Sequence, residues 1–299
     1  GVIGGTTWAL SREDVANGFD VLVIDEAGQM SLANLLVMAR CTKAILLVGD
    51  QQQLSQPTQA DHPGESGYSC LEYLMEGANV VPADKGIFLA TSWRMEPSIT
   101  DVVSELFYDK RLQANQANAV NSIEWNKPCL NRKGQPLPNQ GLVFESVEHY
   151  GCSVKSTEEI DRIEQIVDAL LGGRYRHAQG DGEQSGVITA KDILVTAPYN
   201  VQVNRLEQRL DGKAKVGTVD RFQGQEAAVA IHSLTASSGD EAPRGIDFLL
   251  EPNRLNVAIS RAQCLSIVIG SPGLATGLIN TVDEAEQVNR LCRLMQLSD

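Results

Sequence analysis

The sequence lacks the marks of several broad protein classes at once. Its six cysteines, Cys41, Cys70, Cys129, Cys152, Cys264 and Cys292, form no CxxC pair. That excludes the common zinc and dithiol spacings and fits thiols kept reduced. The four histidines, His62, His149, His177 and His232, make no HExxH or HxH grouping and are expected to be structural or superficial. No stretch approaches the ~18 consecutive apolar residues of a membrane span, so no membrane partner is expected. Basic residues are scarce: 25 Lys and Arg stand against 38 Asp and Glu, for a net charge of −13. Blanket neutralisation of a phosphate backbone is thereby excluded, and any polyanion has to be held in a local groove.

What is present is ordinary globular composition, 42% hydrophobic over 299 residues, enough for about two domains. Short apolar runs alternate with longer amphipathic stretches, the pattern of a parallel sheet covered by helices. Strands are predicted at Val2–Thr6, Val21–Ile24, Ala44–Val48, Gly86–Leu89, Leu142–Val147, Ile193–Thr196, Ala228–Leu234 and Leu265–Ile269. Most are unbroken apolar runs, as strands covered on both faces should be. Helices are predicted at Leu32–Arg40, Cys70–Glu76, Pro97–Phe107, Thr157–Leu171, Val201–Leu210, Arg254–Arg261 and Asp283–Leu297. Asn115–Gln140 and His177–Gly186 read as loops, and the two α/β units are expected to join near residues 90–95. The opening Gly1–Thr7 has no initiator Met and no leader pattern, so the chain is expected to continue upstream.

Two strand ends carry chemistry. Val21-Leu22-Val23-Ile24 runs into Asp25-Glu26-Ala27-Gly28-Gln29, two adjacent carboxylates at the edge where α/β sheets place ligands. Asp25 suits a magnesium ion held through water, and Glu26 suits polarisation of an attacking water. The same residues also suit a strand that simply ends in a solvated turn. Ile45-Leu46-Leu47-Val48 likewise ends in Gly49-Asp50-Gln51-Gln52-Gln53-Leu54, followed by Ser55-Gln56-Pro57.

These boxes resemble motifs II (Walker B) and III of superfamily 1 helicases, and further boxes follow in the family's order. Ser92-Trp93-Arg94-Met95-Glu96-Pro97 is similar to the segment between the two motor lobes, and Ala197-Pro198-Tyr199-Asn200-Val201-Gln202 to the box opening the second lobe's nucleic-acid face. Gly217–Glu226 resembles motif V, Asn256–Ala262 motif VI, and Gly5-Thr6-Thr7 motif Ic. Phe222-Gln223-Gly224-Gln225-Glu226 with Asn256-Val257-Ala258-Ile259-Ser260-Arg261 resembles the type B branch, which holds the nonsense-mediated-decay helicase and bacterial proteins fusing a RecB-like nuclease to such a motor.

The resemblance implies two RecA-like parallel-sheet α/β lobes: residues 1–92 as the C-terminal part of the first, 93–299 as the second. ATP and Mg2+ are the implied cofactors. Glu26, Gln53, Arg94 and Arg261 are the implied catalytic residues, the two arginines serving as arginine fingers opposite the γ-phosphate. Asp25 (through Mg2+), Trp93, Gly224 and Glu226 are implied to bind ATP, with Trp93 stacking on adenine where the family has Tyr. Gly5, Thr6, Pro198, Tyr199, Asn200 and Thr218 are implied to hold single-stranded nucleic acid through amides and hydroxyls, DNA in preference to RNA.

Plainer roles stand beside these: Trp93 in a core, Arg261 in a helix-end surface salt bridge, and Thr6 and Thr7 ending a strand. Lys191, Arg205, Arg209, Lys213, Lys215 and Arg221 form either a strand-crossing basic neighbourhood or a solvated helix face. Glu96 replaces the family's His and is given no chemistry; Ala228 replaces an Asp of motif V.

The phosphate-cradling GxxxxGK[ST] pattern does not occur in these residues. The resemblance places it upstream in the same polypeptide, where a RecB-like nuclease domain is a further expected neighbour, so this segment by itself is expected to be inactive. A monomer in a bacterial cytoplasm is expected. The competing readings are a non-catalytic scaffold or binding module that retains the fold, and an accessory motor of a fused nuclease.

Overall fold

The computed structural model describes residues 1–54, 63–180, 182–277 and 279–298. Pro57 of the third box and His62 lie outside the described residues. The chain divides into two compact units, Gly1–Phe88 and Leu89–Asp299; the sequence reading put the lobe boundary at 92/93.

The first unit contains the parallel pair β1 (Phe19–Ile24) and β2 (Thr42–Leu47), with Val21 beside Ala44 and Ile24 beside Leu47. Its helices are α1 (Thr7–Leu10), α2 (Leu32–Met38) and α3 (Cys70–Met75). Serines start the longer two: Ser31 accepts from the Asn34 amide, and Ser69 forms a capping box with Glu72. Leu22, Ile24, Ala27, Met38 and Cys41 make the core. Burial alternates along β1, leaving Val21 and Val23 about half exposed. The expectation of cover on both faces therefore does not hold here: among the described residues this sheet has two strands and one covered face.

Two predicted strands are absent. Val2–Thr6 is exposed chain with no ladder partner, and Thr6 instead caps α1, its hydroxyl accepting from the Ala9 amide at 3.3 Å. Neither the strand nor the reading in which Thr6 and Thr7 end it survives. Gly86–Leu89 also lacks a partner strand, with Ile87 and Leu89 exposed. Apolar residues without a neighbouring strand form no ladder; the Gly86 amide instead donates to Pro82 O at 3.1 Å.

In the second unit, short β3 (Thr91–Ser92) and β4 (Gln113–Ala114) pair in parallel on either side of α4 (Pro97–Phe107). An antiparallel sheet joins β5 (Ser122–Glu124), β7 (Arg174–Gln179) and β8 (Gly182–Val187) in that order. The main sheet is parallel throughout, ordered β10 (Lys215–Gly217), β9 (Ile193–Thr196), β11 (Ala227–Ser233), β12 (Ala262–Gly270), β6 (Gly141–Ser146). The remaining helices are α5 (Thr157–Leu170), α6 (Asn200–Leu210), α7 (Gly245–Leu249), α8 (Pro252–Ser260) and α9 (Val282–Leu297). All seven residues of β11 are buried, which explains the apolar run Ala227–Ile231; His232 and Ser233, which end the strand, are hydrogen-bonded inside. The predicted loop at His177–Gly186 is instead most of the β7–β8 hairpin. Tyr175 and His177 alternate with exposed Arg174 and Arg176, a period of two outweighing the polar composition.

Buried polar groups close the carboxyl end of β11. Glu159 on α5 accepts from Ser233 Oγ at 2.5 Å and from the Thr235 amide at 3.0 Å, and lies 2.9 Å from His149 Nε2. His149 Nδ1 is 2.7 Å from Ser237 Oγ. Thr235 has φ +70°, a conformation a β-branched residue keeps only when its surroundings hold it. Here the carboxylate grips its amide.

Candidate functional site

In the first unit the candidate carboxylates stand at the carboxyl end of β1, both exposed. Asp25 Oδ1 accepts from the Glu26 amide at 3.0 Å. Glu26 has φ +53°, a left-handed turn that is uncommon outside glycine. Its Oε2 is 3.4 Å from Gln29 Nε2. The next strand end packs directly against this turn: the Ala27 amide donates to Val48 O at 2.9 Å. A Cβ on Gly28 would stand 2.8 Å from Asp50 O, and one on Gly49 would stand 2.7 Å from Ala27 N. Both glycines are therefore required by backbone approaching backbone. Asp50 accepts from the Gln52 amide (2.9 Å) and from Gln53 Nε2 (3.1 Å). The two boxes thus occupy adjacent strand ends, and oxygen donors of this kind suit a hard divalent cation. Gly5 and Thr6 lie in the exposed opening segment.

In the second unit Arg94, Glu226 and Arg261 gather at the amino ends of β11 and β12. Arg94 Nε donates to Glu226 Oε2 at 2.6 Å, and its Nη1 to Ser260 O at 3.3 Å. Gln263 Nε2 donates to Glu226 Oε1 at 3.0 Å. Arg261 is 3% exposed and donates from Nη1 to Gln225 O at 3.3 Å, so it is not a solvent-exposed helix-end ion pair. Gly224 supplies a left-handed turn (φ +73°) just before Glu226. Asn121 Nδ2 bridges Arg94 O and Gln263 O, both at 3.0 Å, fixing the Arg94 backbone to the start of β12.

Trp93 is 68% exposed, which removes the core reading. It lines a cavity of about 410 Å³ together with Glu226, Ala228, Gln263 and residues of the β7–β8 hairpin. Sequence reasoning missed Gln263 and the hairpin. The alternation of Tyr175 and His177 ahead of Gly180 was the available signal for the hairpin; Gln263 carried none. Glu96 proves structural: it is buried and caps α4, accepting from the Ser98 and Ile99 amides at 2.8 and 3.2 Å.

The opposite, carboxyl edge of the same sheet carries Pro198, Tyr199 and Asn200 after β9 and Thr218 after β10. Asn200 is exposed, Pro198 and Thr218 half-buried. Tyr199 is buried against Phe248, with ring centroids 5.6 Å apart, and burial raises its hydroxyl above the usual tyrosine value. Of the basic neighbourhood, Arg209 pairs with Asp161 and Glu164, Lys213 with Asp168, and Arg221 with Glu207. Half of it is thus neutralised on helix surfaces.

A parallel α/β sheet with chemistry gathered at its strand ends is the RecA-like class of architecture. A family model described as an AAA domain matches residues 67–273, and a second of the same description matches residues 2–59. The chain belongs to this AAA domain family, among the superfamily 1 helicases. It is 31% identical over 297 residues to the putative helicase mov-10-B.1 of Danio rerio, covering 86% of this chain and 28% of the relative. It is 29% identical over 266 residues to the ATP-dependent helicase NAM7 of Saccharomyces cerevisiae, covering 85% of this chain and 25% of the relative. The chain therefore spans about a quarter of the length of these curated relatives. A solved complex of arterivirus nonstructural protein 10 (helicase) with DNA is similar over 85% of this chain and 40% of its own, at 13% identity and a TM-score of 0.40. That likeness is too low to bear on function. No helix among the described residues is long and apolar enough to cross a membrane.

Proposed function

We propose that the chain is the motor segment of an ATP-dependent helicase that translocates on single-stranded nucleic acid. The observation that carries this reading is the grouping of Arg94, Arg261 and Glu226 beside a cavity walled by an exposed Trp93. Two guanidiniums held by protein carbonyls and a carboxylate are preorganised for the charge that shifts on to the γ-phosphate oxygens during phosphoryl transfer. The indole offers a flat apolar face to a base, and Glu226 an acceptor to a ribose. In the first unit, Glu26 orients and polarises the attacking water, and Gln53, tethered to Asp50, faces the γ-phosphate. Asp25 fits Mg2+ held through water: its carboxylate is exposed, and no group of three or more His, Cys, Asp or Glu residues that could cage a metal occurs among the described residues. When bound, that ion neutralises phosphate charge.

The upstream phosphate-cradling loop, a fused nuclease domain, 5′→3′ polarity, a preference for DNA and a bacterial cytoplasmic setting belong to the same proposal and rest on the motif resemblance. The exposed apolar face of β1 and β2 supports the first of these, since Val21, Val23 and Leu46 would be covered by further strands or helices of the same lobe. In the full-length polypeptide, ATP turnover should rise on addition of single-stranded DNA or RNA. Glu26→Gln and Arg261→Lys should each lower it at least a hundredfold with the circular dichroism spectrum unchanged. The segment alone should turn over no ATP. Absence of stimulation by either nucleic acid would favour a scaffold instead.

A further inference from the structure

Trp93, Arg94 and Met95 form a bend between β3 and α4, in neither a ladder nor a helix. The carbonyls of such a segment need partners from elsewhere in the chain, and two asparagines supply them. Asn118 Nδ2 donates to Ser92 O at 3.1 Å and to Met95 O at 2.9 Å. Asn121 Nδ2 donates to Arg94 O and to Gln263 O, both at 3.0 Å. Each asparagine is 1% exposed. Asn118 lies in a short 3-10 helix, Gln116–Val120, and Asn121 is its C-cap. Three residues per turn set positions i and i+3 on one face, so a single turn grips the bend at the carbonyls of Ser92, Arg94 and Met95.

Asn121 does more than hold the bend, for its Oδ1 accepts from the Ala178 amide at 2.8 Å. It thereby joins three pieces distant in sequence: Arg94, the start of β12 at Gln263, and the β7–β8 hairpin. These partners fix the orientation of its amide, since a flipped group would turn its oxygen on two carbonyls and its N–H on another N–H. Gln263 also donates to Glu226, the carboxylate that accepts from Arg94 Nε. Arg94 is therefore held twice on one frame, its backbone through Asn121 and its guanidinium through Glu226. Neither asparagine falls within a helicase-like box.

We propose that Asn118 and Asn121 are positioning residues for ATP hydrolysis: they set the backbone of the Trp93–Arg94 bend, and so the place at which the Arg94 guanidinium meets the γ-phosphate. The inference rests on the reading of Arg94 as an arginine finger. An amide nitrogen with two N–H groups serves two carbonyls at once, whereas an ionised aspartate of the same shape serves none.

A double-mutant cycle on single-turnover ATP hydrolysis by the full-length polypeptide, with rates expressed per folded molecule, tests this. Asn121→Ala should slow the wild type about ten- to hundredfold, the loss expected when a reacting group is misplaced by about 1 Å. In the Arg94→Ala background the same change should cost less than about twofold, because no finger is left to place. Asn118→Ala should show the same dependence on Arg94. Asn121→Ser, whose hydroxyl keeps one donor, replaces Asn121→Ala if that variant does not fold; its loss should be smaller and should again vanish in Arg94→Ala. An equal loss in both backgrounds, or none in the wild type, overturns the positioning role of the asparagine concerned and leaves the finger standing. A rate in Arg94→Ala equal to that of the wild type, or no hydrolysis by the wild type, overturns the finger and this inference with it.

Discussion

Arg94 and Glu226 are 132 positions apart in sequence, yet Nε of one stands 2.6 Å from Oε2 of the other. Both side chains are partly exposed, so the pair contributes at most about 1 kcal/mol to stability. Its value is positional: Glu226 holds the Arg94 guanidinium in one place, as the proposed role opposite a phosphate requires. Arg94→Lys keeps the charge but loses the planar fork that reaches Glu226 and Ser260 O together. We expect ATP turnover by the full-length polypeptide to fall at least a hundredfold, with the urea unfolding midpoint nearly unchanged.

The Glu96 cap makes the reverse prediction. Its carboxylate accepts from two amides at the start of α4 and from Gln140 Nε2 at 3.2 Å. Glu96→Ala leaves buried donors unsatisfied and should cost about 1–3 kcal/mol in urea unfolding, while nucleotide affinity at constant folded fraction stays within twofold.

His232 gives a pH dependence. It is fully buried in β11, its Nδ1 is 2.8 Å from Thr196 Oγ1, and burial, then the charge of Arg254, pushes its pKa down to about 4. The unfolded chain binds a proton near pH 6.5 that the folded one refuses. Stability from this residue is thus complete above pH 6.5 and is lost as pH falls from 6.5 towards 4, up to about 3 kcal/mol. Unfolding free energies measured across that window should lose this slope in His232→Phe.

The cluster at the end of β11 should be intolerant of truncation. Glu159→Ala removes the acceptor of the Thr235 amide and the partner of His149 at once. A destabilisation of about 3 kcal/mol or more is expected from chemical denaturation. Faster amide exchange should be centred on Thr235, whose left-handed backbone would lose its clamp.

Much of the main sheet was legible because strands covered on both faces are mostly apolar, as in Ile193–Val195 of β9 and Ala227–Ile231 of β11. The hairpin was not, because polar residues and glycines around its turn outweighed the Tyr175–His177 alternation. Val2–Thr6 and Gly86–Leu89 misled for the complementary reason: apolar composition makes a strand only where another strand lies within hydrogen-bonding reach. Glu96 was given no role in the sequence reading; its cap is local, to the Ser98 and Ile99 amides, and only its second oxygen meets a distant residue, Gln140, 44 positions away.

By itself the sequence determined which residues carry charge and where the chain turns from apolar run to polar edge. The placement of Asp25-Glu26, Asp50 and Gln53 followed from that, since these residues stand next to the strands that present them. The tertiary structure decided which distant groups meet: Arg94 with Glu226, Trp93 with the His177 hairpin, Glu159 with Thr235. Such pairings are set by strand order and by the packing of side chains across the sheet, and neither is written in local periodicity.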